Sequence, residues 1–592
     1  MIGLVVLVGK FLFASQFGLY EDDYLQILPF YGTRWDQVLA LMWSELRSWP
    51  HGEPIGFAVN DLHAYLVTRF DSLAIPYALG AILVTISGCL FYQLARRSLP
   101  DIAAFVGTCV FVLYPVDTSE QIISNQPGQL LNLILILLAF LLYRRHLVWA
   151  YALALCVLLN YEHFFLPFVA APFLLERGEK LSLPKCISHL LYLGSSCALL
   201  ILIRDFIGES RARGVMADPA EVLWRVPSAV GIGLLNSIST IFVRILDLFL
   251  HGDFLSWTIV IVISVWLAMA LGPVKTLSVA GGAGWRTRKD ILVIAIGALV
   301  AAGSGYLLAF RPDNYPPVLN LGRLSGFNAP ASIGICLLIA CAFSLALRFR
   351  DAGRAAVKWV SIVTISSLVA VGVYIQRVDY VESWAKQKQL LRQLIATSGS
   401  WKPDTTIIID VDHSEAKPLE TPGFSLTWLS FDLTYLPRYL IDFNSLPLGR
   451  LPDGQTLQPS EAGFYQLSIR LLDGNLTYPR AIGYSKYTDV ATAEPGGVRL
   501  ELAIADPLFR VFLRDGNFQL FRIRDRRLER VKDPTWSIAG VSLKPDQVVN
   551  EKLGPLPLSP VGKMLLDDVP LWPSVDGGKM YPSQVPFKDL QQ

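Results

Sequence analysis

The stretch IGLVVLVGKFLFASQFGLYEDDY, residues 2–24, is an apolar run followed by three acids, Glu21, Asp22 and Asp23, and a tyrosine. About 20 apolar residues are enough to cross a bilayer as a helix. The run has no small-residue cleavage signature, so we expect a retained span rather than a removed signal peptide. Lys10 lies in its middle, which favours a position facing the interior of a helix bundle or a side chain that reaches the interface. Acids are costly to place beside a membrane unless they have a function, so Asp22 and Asp23 are candidate functional residues. The alternative is that they only end the helix and face water.

Composition separates the chain into two parts. Of its 592 residues 53% are hydrophobic and 17% are charged, and its mean hydropathy is +0.44, whereas soluble domains carry about 25% charged residues. Residues 1–375 are a succession of apolar runs, and residues 376–592 resemble an ordinary soluble domain. The net charge of +2 says nothing about nucleic acid, and no basic stripe that would suit such a partner is found, so none is expected. The seven cysteines have no metal-type spacing, so neither a zinc site nor a disulfide framework is expected.

Apolar segments of suitable length predict about 11 membrane spans. They are 2–19, 73–95, 102–118, 127–143, 146–160, 162–176, 187–206, 255–272, 291–310, 329–347 and 356–375. Clusters of Lys and Arg mark cytoplasmic ends, which predicts a cytoplasmic N-terminus. The loop 20–72, the loop 119–126, the segments 207–254 and 311–328 and the whole of 376–592 are then extracytoplasmic, which suits the inner or plasma membrane of a bacterium. Positive clusters on both sides of 146–176 predict two short helices that turn at Tyr161-Glu162-His163.

Other segments combine apolar and polar faces. Residues 35–46 predict an amphipathic helix, which either lies in the outer interface or packs on the protein. Residues 219–250, interrupted by charges, are expected outside, along the membrane or dipping into it. Residues 380–397 predict a further amphipathic helix. Short strands then predict a mixed α/β, mostly β domain with a Pro-rich tail from residue 554 and a hairpin at Asp515-Gly516. The predicted strands are Thr405–Asp410, Phe464–Leu472, Gly497–Ala503, Leu508–Arg514 and Gln519–Arg524.

Charged groups collect in the segments predicted to lie outside. The acids, beyond the pair at 22–23, are Asp117, Glu120 and Glu162, the last followed by His163; the arginines are Arg204, Arg211, Arg213, Arg311 and Arg323. Acids and arginines together suit transfer from a phosphate-bearing donor to a hydroxyl acceptor, because a carboxylate takes the hydroxyl proton and arginine grips phosphate.

Each of these residues also has a structural interpretation. Asp117 follows a proline and could cap the next helix. Glu162 and His163 could form an ion pair that holds a turn. Arg311 could anchor a span in the headgroups, and Arg211 and Arg213 could contact anionic lipids.

This arrangement of spans, acidic first outer loop and outer domain resembles the GT-C type of membrane glycosyltransferases, relatives of protein O-mannosyltransferases and lipid A aminoarabinose transferases. The resemblance covers residues 1–375 and implies a polyprenyl-phosphate sugar as donor. It implies that Asp22 or Asp23, with Asp23 favoured, is the catalytic base of an inverting hexosyl- or pentosyltransferase. Arg323 would bind the donor phosphate, assisted by Arg311, Arg211 and Arg213. Asp117, Glu120, Glu162 and His163 would serve the acceptor or a divalent metal.

The acceptor stays open among a glycan, a lipid and a protein, since residues 376–592 carry no motif of a protein mannosyltransferase. A second interpretation is a transporter or flippase of a lipid-linked or polar solute, with the outer domain as a binding module. Transporters show matching broken helices in two halves, and no such repeat is found here. Lys10, a charge at the middle of a span, favours this alternative.

Overall fold

Two compact units make up the chain. The computed structural model describes residues 1–20, 23–49, 53–70, 72–175, 182–207, 219–270, 288–307, 322–347, 351–396, 558 and 560–566, together with six short strands. The first unit contains Met1–Ala14, Gly32–Val67 and Ala74–Arg377. The second contains Ser15–Tyr31, Thr68–Leu73 and Val378–Gln592.

Helices dominate the part of the chain that the structure describes. In chain order they are α1 Ile2–Phe11, α2 Asp23–Gln26, α3 Trp35–Ser48, α4 Pro54–Val67, α5 Ala74–Arg96, α6 Asp101–Val112, α7 Asn125–Leu142, α8 Leu147–Asn160, α9 Ala171–Leu175, α10 Leu183–Phe206, α11 Pro219–His251, α12 Phe254–Ala270, α13 Arg288–Gly305, α14 Ala329–Ala346, α15 Asp351–Ile375, α16 Glu382–Ala396 and α17 Pro560–Leu566. Short 3-10 turns lie between them, and a π-helical turn, Gln376–Val381, separates α15 from α16.

Six helical segments are long and apolar enough to cross a membrane. They are Ala74–Arg96, Asn125–Leu142, Leu183–Phe206, Pro227–His251, Ser325–Ala346 and Ala355–Gln393. Shorter apolar helices accompany them, among them α1, α6, α8 and α12. Length and composition therefore indicate an integral membrane protein with a helical bundle.

Among the differences between prediction and structure, two concern predicted spans and one concerns a segment expected at the membrane surface. The first span is shorter than predicted, because α1 ends at Phe11. The segment 162–176 is not one helix: a 3-10 turn at Leu166–Ala170 precedes the five residues of α9. As expected, residues 146–176 form two helical segments separated by a turn at Tyr161-Glu162-His163.

The third difference concerns residues 219–250. They form one helix of 33 residues, α11, that continues through Arg244 and Asp247. We expected an interrupted segment along the membrane surface. The charges do not interrupt the helix because a helical backbone satisfies its own hydrogen bonds whatever the side chains are. Its 25 residues from Pro227 are long and apolar enough to cross a bilayer.

In the first unit, α1 is held tightly against α15. A Cβ placed on Gly372 would lie 2.1 Å from the Gly9 carbonyl oxygen, so the two backbones approach where both residues lack a side chain. Gln376 donates from Nε2 to the Val8 carbonyl at 3.0 Å, and its Oε1 accepts from Phe13 N–H at 3.1 Å. These contacts fix the rotation of α1 and so the direction in which Lys10 points.

The loop 20–72 contains the helices α2, α3 and α4, of which only α3 was predicted. In α3, Trp35 and Trp43 lie exposed, and Arg47 stacks over the Trp43 ring at 4.7 Å. α3 also packs on α4, and the ring of Trp35, although partly exposed, lies 5.3 Å from that of Tyr65. An exposed tryptophan face is typical of a helix at a membrane interface, and the contact with α4 shows that α3 also packs on the protein.

The second unit is described only in part. Its strands are β1 Thr406–Val411, β2 Arg480–Ser485, β3 Phe518–Arg524, β4 Arg527–Arg530, β5 Ser537–Ile538 and β6 Val541–Ser542. β1 pairs in parallel with β2 and β3, β3 pairs antiparallel with β4, and β5 and β6 pair antiparallel. β1 and β3 lie at two of the five predicted strands; the other three and the hairpin at Asp515-Gly516 lie outside the described residues. The strands are too few to test the predicted β domain.

Two helices of the second unit fall in segments named from the sequence. α16 lies where an amphipathic helix was predicted. α17 lies within the Pro-rich tail, and Arg392 of α16 donates a hydrogen bond to the carbonyl of Leu566 at its end. At least this part of the tail is therefore helical and packed.

Candidate functional site

An acidic turn joins α6 to α7 in the first unit and buries two of the predicted site residues. Asp117 and Glu120 are 3% and 6% exposed. The Asp117 carboxylate accepts a hydrogen bond from the Ser119 N–H at 2.9 Å, an Asx-type contact that shapes the turn. Asp117 thus has a structural role here, but it does not serve as a helix cap, because α7 begins only at Asn125.

Lys10 of α1 is the charge partner of this turn. Its ammonium forms an ion pair with the Glu120 carboxylate and donates to the Asp117 carbonyl at 3.3 Å. The side chain of Lys10 is 5% exposed, so the ion pair lies inside the bundle rather than in lipid or water. Of the two positions expected for Lys10 from the sequence, the structure shows the interior one.

Burial controls the proton affinity of the two acids. Loss of hydration raises the pKa of Glu120 to about 7, although the Lys10 charge opposes the shift. Burial also raises the pKa of Asp117, and here Lys10 and the hydrogen bonds from Ser119 and Ser325 oppose it. A carboxyl with a pKa near 7 can both take up and release a proton at neutral pH.

The 3-10 segment Gly322–Asn328 packs against this acidic turn. Thr118 N–H donates to Ser325 Oγ at 2.8 Å, and Ser325 Oγ lies 3.4 Å from a carboxylate oxygen of Asp117. A Cβ on Gly326 would lie 1.9 Å from Gln129 Nε2, so a side chain there would displace the end of the Gln129 amide. Arg323 belongs to this segment, so its backbone lies beside the acidic turn. The side chain of Arg323 is not among the parts of the chain that the structure describes.

Glu162 and His163 lie at the turn after α8, also in the first unit. Glu162 makes a two-pronged ion pair with Arg204 of α10, with distances of 3.1 and 3.3 Å, and both side chains are buried. The ring of His163 lies 6.0 Å from that of Phe327, in the segment that carries Arg323. Arg204, considered from the sequence as a phosphate ligand, is instead the partner of Glu162, because neither charge is stable alone in a dry interior. The turn ion pair expected between Glu162 and His163 is formed by Glu162 and Arg204.

Asp23 belongs to the second unit and is fully buried at the start of α2. Its carboxylate accepts a hydrogen bond from the Tyr20 N–H at 3.0 Å. The Tyr20 hydroxyl in turn donates to the Tyr380 carbonyl at 3.0 Å, with the two rings edge to face. Asp23 therefore does not face water. The interpretation in which the acids only end a helix required it to do so.

Four predicted site residues fall outside the described residues: Asp22, Arg211, Arg213 and Arg311. Those that the structure brings together are Asp117 and Glu120, with Lys10 and the backbone of Arg323, and His163 at the edge of the same segment. Sequence reasoning noticed Lys10 without assigning it to the site. The signal that would have assigned it is a mid-span cation in a chain whose second outer loop carries two acids.

A divalent metal was considered for Asp117 and Glu120. Among the described residues no group of three or more His, Cys, Asp or Glu side chains is placed to hold a metal ion. Lys10 already supplies a positive charge to Glu120. The cation seen at this turn is the Lys10 ammonium.

Comparison of the chain with models of protein families, with curated proteins and with solved structures gives no match, so the function is argued from these residues alone.

Proposed function

We propose that the chain is a membrane glycosyltransferase that moves a sugar from a polyprenyl-phosphate donor to an acceptor at the extracytoplasmic face. The observation that supports this best is the packing of the acidic turn with Asp117 and Glu120 against the segment that carries Arg323. Transfer from a phosphate to a hydroxyl needs a carboxylate for the proton and a cation for the departing phosphate. The two kinds of group are carried by adjoining segments here.

The reaction is a single displacement. The acceptor hydroxyl gives its proton to a carboxylate while its oxygen forms the new glycosidic bond. The bond between the anomeric carbon and the phosphate oxygen breaks, and its electron pair leaves with the polyprenyl phosphate. Arg323 pairs with that phosphate, and attack on the face opposite to it inverts the anomeric centre.

Two carboxyl groups compete for the role of base. Asp23, or its neighbour Asp22, is the residue implied by position in the first outer loop. Glu120 is the alternative, because burial raises its pKa to about 7 and so matches it to proton transfer at neutral pH. Asp117 and Glu162, which are engaged in hydrogen bonds and an ion pair, are assigned to the architecture around the acceptor.

The decisive experiment uses the full chain in lipid nanodiscs with a panel of radiolabelled polyprenyl-phosphate sugars. We expect transfer from one of them, and a loss of turnover of roughly 10²–10⁴-fold when the base is replaced by its amide, with donor binding unchanged. Asp22→Asn, Asp23→Asn and Glu120→Gln identify which acid it is. Asp23→Asn keeps an oxygen that can accept from Tyr20 N–H, so folding is preserved. Asp101→Asn, an exposed acid at the start of α6, is the matched control.

Donor binding tests the role of Arg323 separately. Arg323→Ala should weaken binding of the donor by about 1.5–3 kcal/mol, the worth of a charge-assisted hydrogen bond. Arg323→Lys should recover part of this, because the charge is kept and the fork is lost. Equal donor affinity in the wild type and in Arg323→Ala would remove this residue from the site.

A proton-coupled transporter is the second candidate, and one observation favours it. The buried pair of Lys10 and Glu120 is the kind of intramembrane ion pair that marks proton pathways. Reconstituted vesicles separate the two functions: a transporter moves its solute across the membrane without changing it chemically, whereas the glycosyltransferase forms a labelled product in detergent as well.

A further inference from the structure

Hydrogen bonds place the end of α13 beside the acidic turn, within the first unit. Tyr306, the residue after α13, donates from its hydroxyl to Asn328 Oδ1 at 3.0 Å. Asn328 Nδ2 in turn lies 3.5 Å from the carbonyl oxygen of Val116, the residue before Asp117. We call the end of the first unit that carries the acidic turn the acidic face, and Tyr306 belongs to it.

The end of α15 lies on the acidic face as well. Gln376, the residue after α15, donates to the Val8 carbonyl of α1, and Lys10 of α1 donates to the Asp117 carbonyl in the acidic turn. The start of α15 lies at the opposite end of the unit. There Val357 packs in a hydrophobic cluster with the start of α6 and the end of α14.

α11 is attached to the acidic face at two places. Ser237 Oγ shares a hydrogen bond with the Tyr306 hydroxyl, and a Cβ on Gly233 would lie 2.6 Å from the Tyr306 ring. Asp253, two residues after α11, forms an ion pair with Arg377, two residues after α15. From Ser237 to its last residue α11 extends about 21 Å. A helix crossing the membrane would separate its two attachments by that depth. Both lie on the acidic face, so this part of α11 runs along it.

α12 has a different direction. It runs antiparallel to α15, because the ion pair of Asp253 and Arg377 joins its start to the end of α15, and Ser264 Oγ donates to Ser366 Oγ at 2.9 Å further along both helices. Since α15 extends from one end of the unit to the other, α12 descends from the acidic face into the depth of the bundle. The chain therefore changes direction where α11 ends.

The two sides of α11 differ in polarity. The buried side contains Ala229, Gly233, Ser237, Thr240 and Leu248. Arg244 and Asp247 fall on this same side at helical spacing. The opposite side is apolar, with side chains that are each more than half exposed: Leu235, Ile238, Phe242, Val243, Leu246, Phe249 and Leu250.

The exposed side of α11 continues into the exposed side of α12. The rings of Phe249 and Trp257 lie 5.0 Å apart across the turn between the helices. Beyond this contact Ile261, Val265 and Met269 are exposed along α12. Water is an unfavourable partner for a continuous apolar surface of this size, and such surfaces mark sites of protein or membrane contact. Because α12 enters the depth of a membrane bundle, lipid is the partner that can cover both helices at once.

We propose that the exposed side of α11 binds the acyl chains of the membrane leaflet on the side of the acidic face, and that α11 lies along this leaflet without crossing the bilayer. Ser237, Tyr306 and Asn328 then form a chain of hydrogen bonds from a lipid-embedded helix to the backbone beside the acidic turn. The inference requires neither glycosyl transfer nor a particular orientation of the chain, so it stands or falls independently of the proposed function.

The test measures the depth of nitroxide labels on the full chain in phospholipid nanodiscs. The labels are attached through p-acetylphenylalanine, so the native cysteines stay in place, and they replace Leu235, Phe242 or Phe249 one at a time. These positions are seven residues apart on the exposed side of α11. Power saturation of the electron paramagnetic resonance signal by oxygen and by a water-soluble nickel chelate gives each depth. We expect greater access for oxygen, and depths that differ by less than about 7 Å, whereas a crossing helix would separate Leu235 from Phe249 by about 21 Å.

Phe254 and Val265 of α12 are the matched controls. They are exposed and eleven residues apart on one side of the helix, so their labels should differ in depth by about 16 Å. Thermal midpoints show which labelled chains are folded, and any two of the three labels on α11 decide. A difference of about 21 Å along α11 would overturn the inference. So would preferred access for the nickel chelate, which means water, or shielding from both reagents, which means that a second copy or another protein segment covers α11.

Discussion

Burying a lysine is costly unless an anion goes with it, and Lys10 is accompanied by two. Its ammonium forms an ion pair with Glu120 and donates to the backbone of Asp117. If both carboxyls are ionised, this group of three carries one net negative charge. Burial raises the pKa of Glu120 to about 7, so Glu120 can hold a proton that removes this negative charge.

Replacement of Lys10 by methionine should make stability depend on pH. Without the ammonium, the folded-state pKa of Glu120 rises further above its unfolded value. An acid with a raised folded pKa contributes stability that is present below the unfolded pKa and is lost as pH rises through the folded one. We expect Lys10→Met to unfold near its parental temperature at pH 5 and to lose about 3–5 kcal/mol at pH 9. Thermal unfolding followed by tryptophan fluorescence in detergent measures this.

The double variant Lys10→Met/Glu120→Gln provides the control. It removes both charges, so the loss at pH 9 should largely disappear. If the single variant is destabilised equally at pH 5 and pH 9, the contribution of Lys10 is packing of its stem, and the ion pair is not the cause.

At this scale the sequence identified the ionisable residues but not their pairing. Lys10, Asp117 and Glu162 stand out because charges are rare in apolar surroundings. That Lys10 meets Glu120, or that Arg204 meets Glu162, depends on which helices pack together, and single-sequence patterns carry no such information. The buried amide oxygens of Asn60 and Asn160, which have no hydrogen-bond partner in the described part of the chain, gave no signal, since an amide carries no charge.

The hairpin of α3 and α4 contains a second pair of acids. Glu45 and Asp61 interact across it, and burial, as the main cause, raises the pKa of Glu45 to about 8 and that of Asp61 to about 6. Two neighbouring carboxyls in a half-buried place hold a proton between them at neutral pH. The contact between the two helices therefore weakens as that proton leaves.

Glu45→Gln should stabilise the protein at alkaline pH. The stability from the raised pKa of Glu45 is present below pH 4.5 and is lost as pH rises towards about 8, so the amide gains over the parent only above neutrality. Because Glu45 is about half exposed, solvent screening limits the gain to less than about 1 kcal/mol. The thermal midpoint of the variant should exceed that of the parent at pH 9 and equal it at pH 5.

Asp36→Asn on the same helix is the matched control, since Asp36 is exposed and pairs with Arg34 in its own turn. Burial, which raises the pKa of Glu45, is absent there, so this variant should show no alkaline gain. A midpoint that rises equally in both variants would reflect a general loss of negative charge and contradict the carboxyl pair.

Elements were predictable where the apolar pattern was long and unbroken. α5, α7, α10 and α14 lie close to their predicted spans because periodicity and length both favour a helix. α4 was missed since Pro54 and Gly56 suggest a loop, although proline suits the first turn of a helix and Gly56 serves a close contact. The continuity of α11 was missed because Arg244 and Asp247 were expected to interrupt its apolar stretch, whereas the helix runs through both.

The orientation of the whole molecule is a prediction from its positive clusters. With a cytoplasmic N-terminus, residues 376–592 are extracytoplasmic, and a reporter active only in the cytoplasm should be silent when fused after Gln592. The same reporter at Gly252 tests α11: we expect silence there also, because the segment 207–254 is predicted outside. Activity after Gln592 would reverse the assignment of the acidic turn to the outer face. Activity at Gly252 alone would mean that α11 crosses and that the later segments change sides.

The close approach of Gly9 to Gly372 has a consequence for biogenesis. The ribosome completes α1 long before α15, so α1 enters the membrane while its docking surface is still to be synthesised. The acidic turn is made earlier than α15, so we expect the ion pair of Lys10 with Glu120 to hold α1 in place during that interval. The order of synthesis thus predicts that Lys10 stabilises the position of α1 during insertion. Chains without Lys10 should then be degraded by the translocon's quality-control proteases more often than the equilibrium stability of the finished protein suggests.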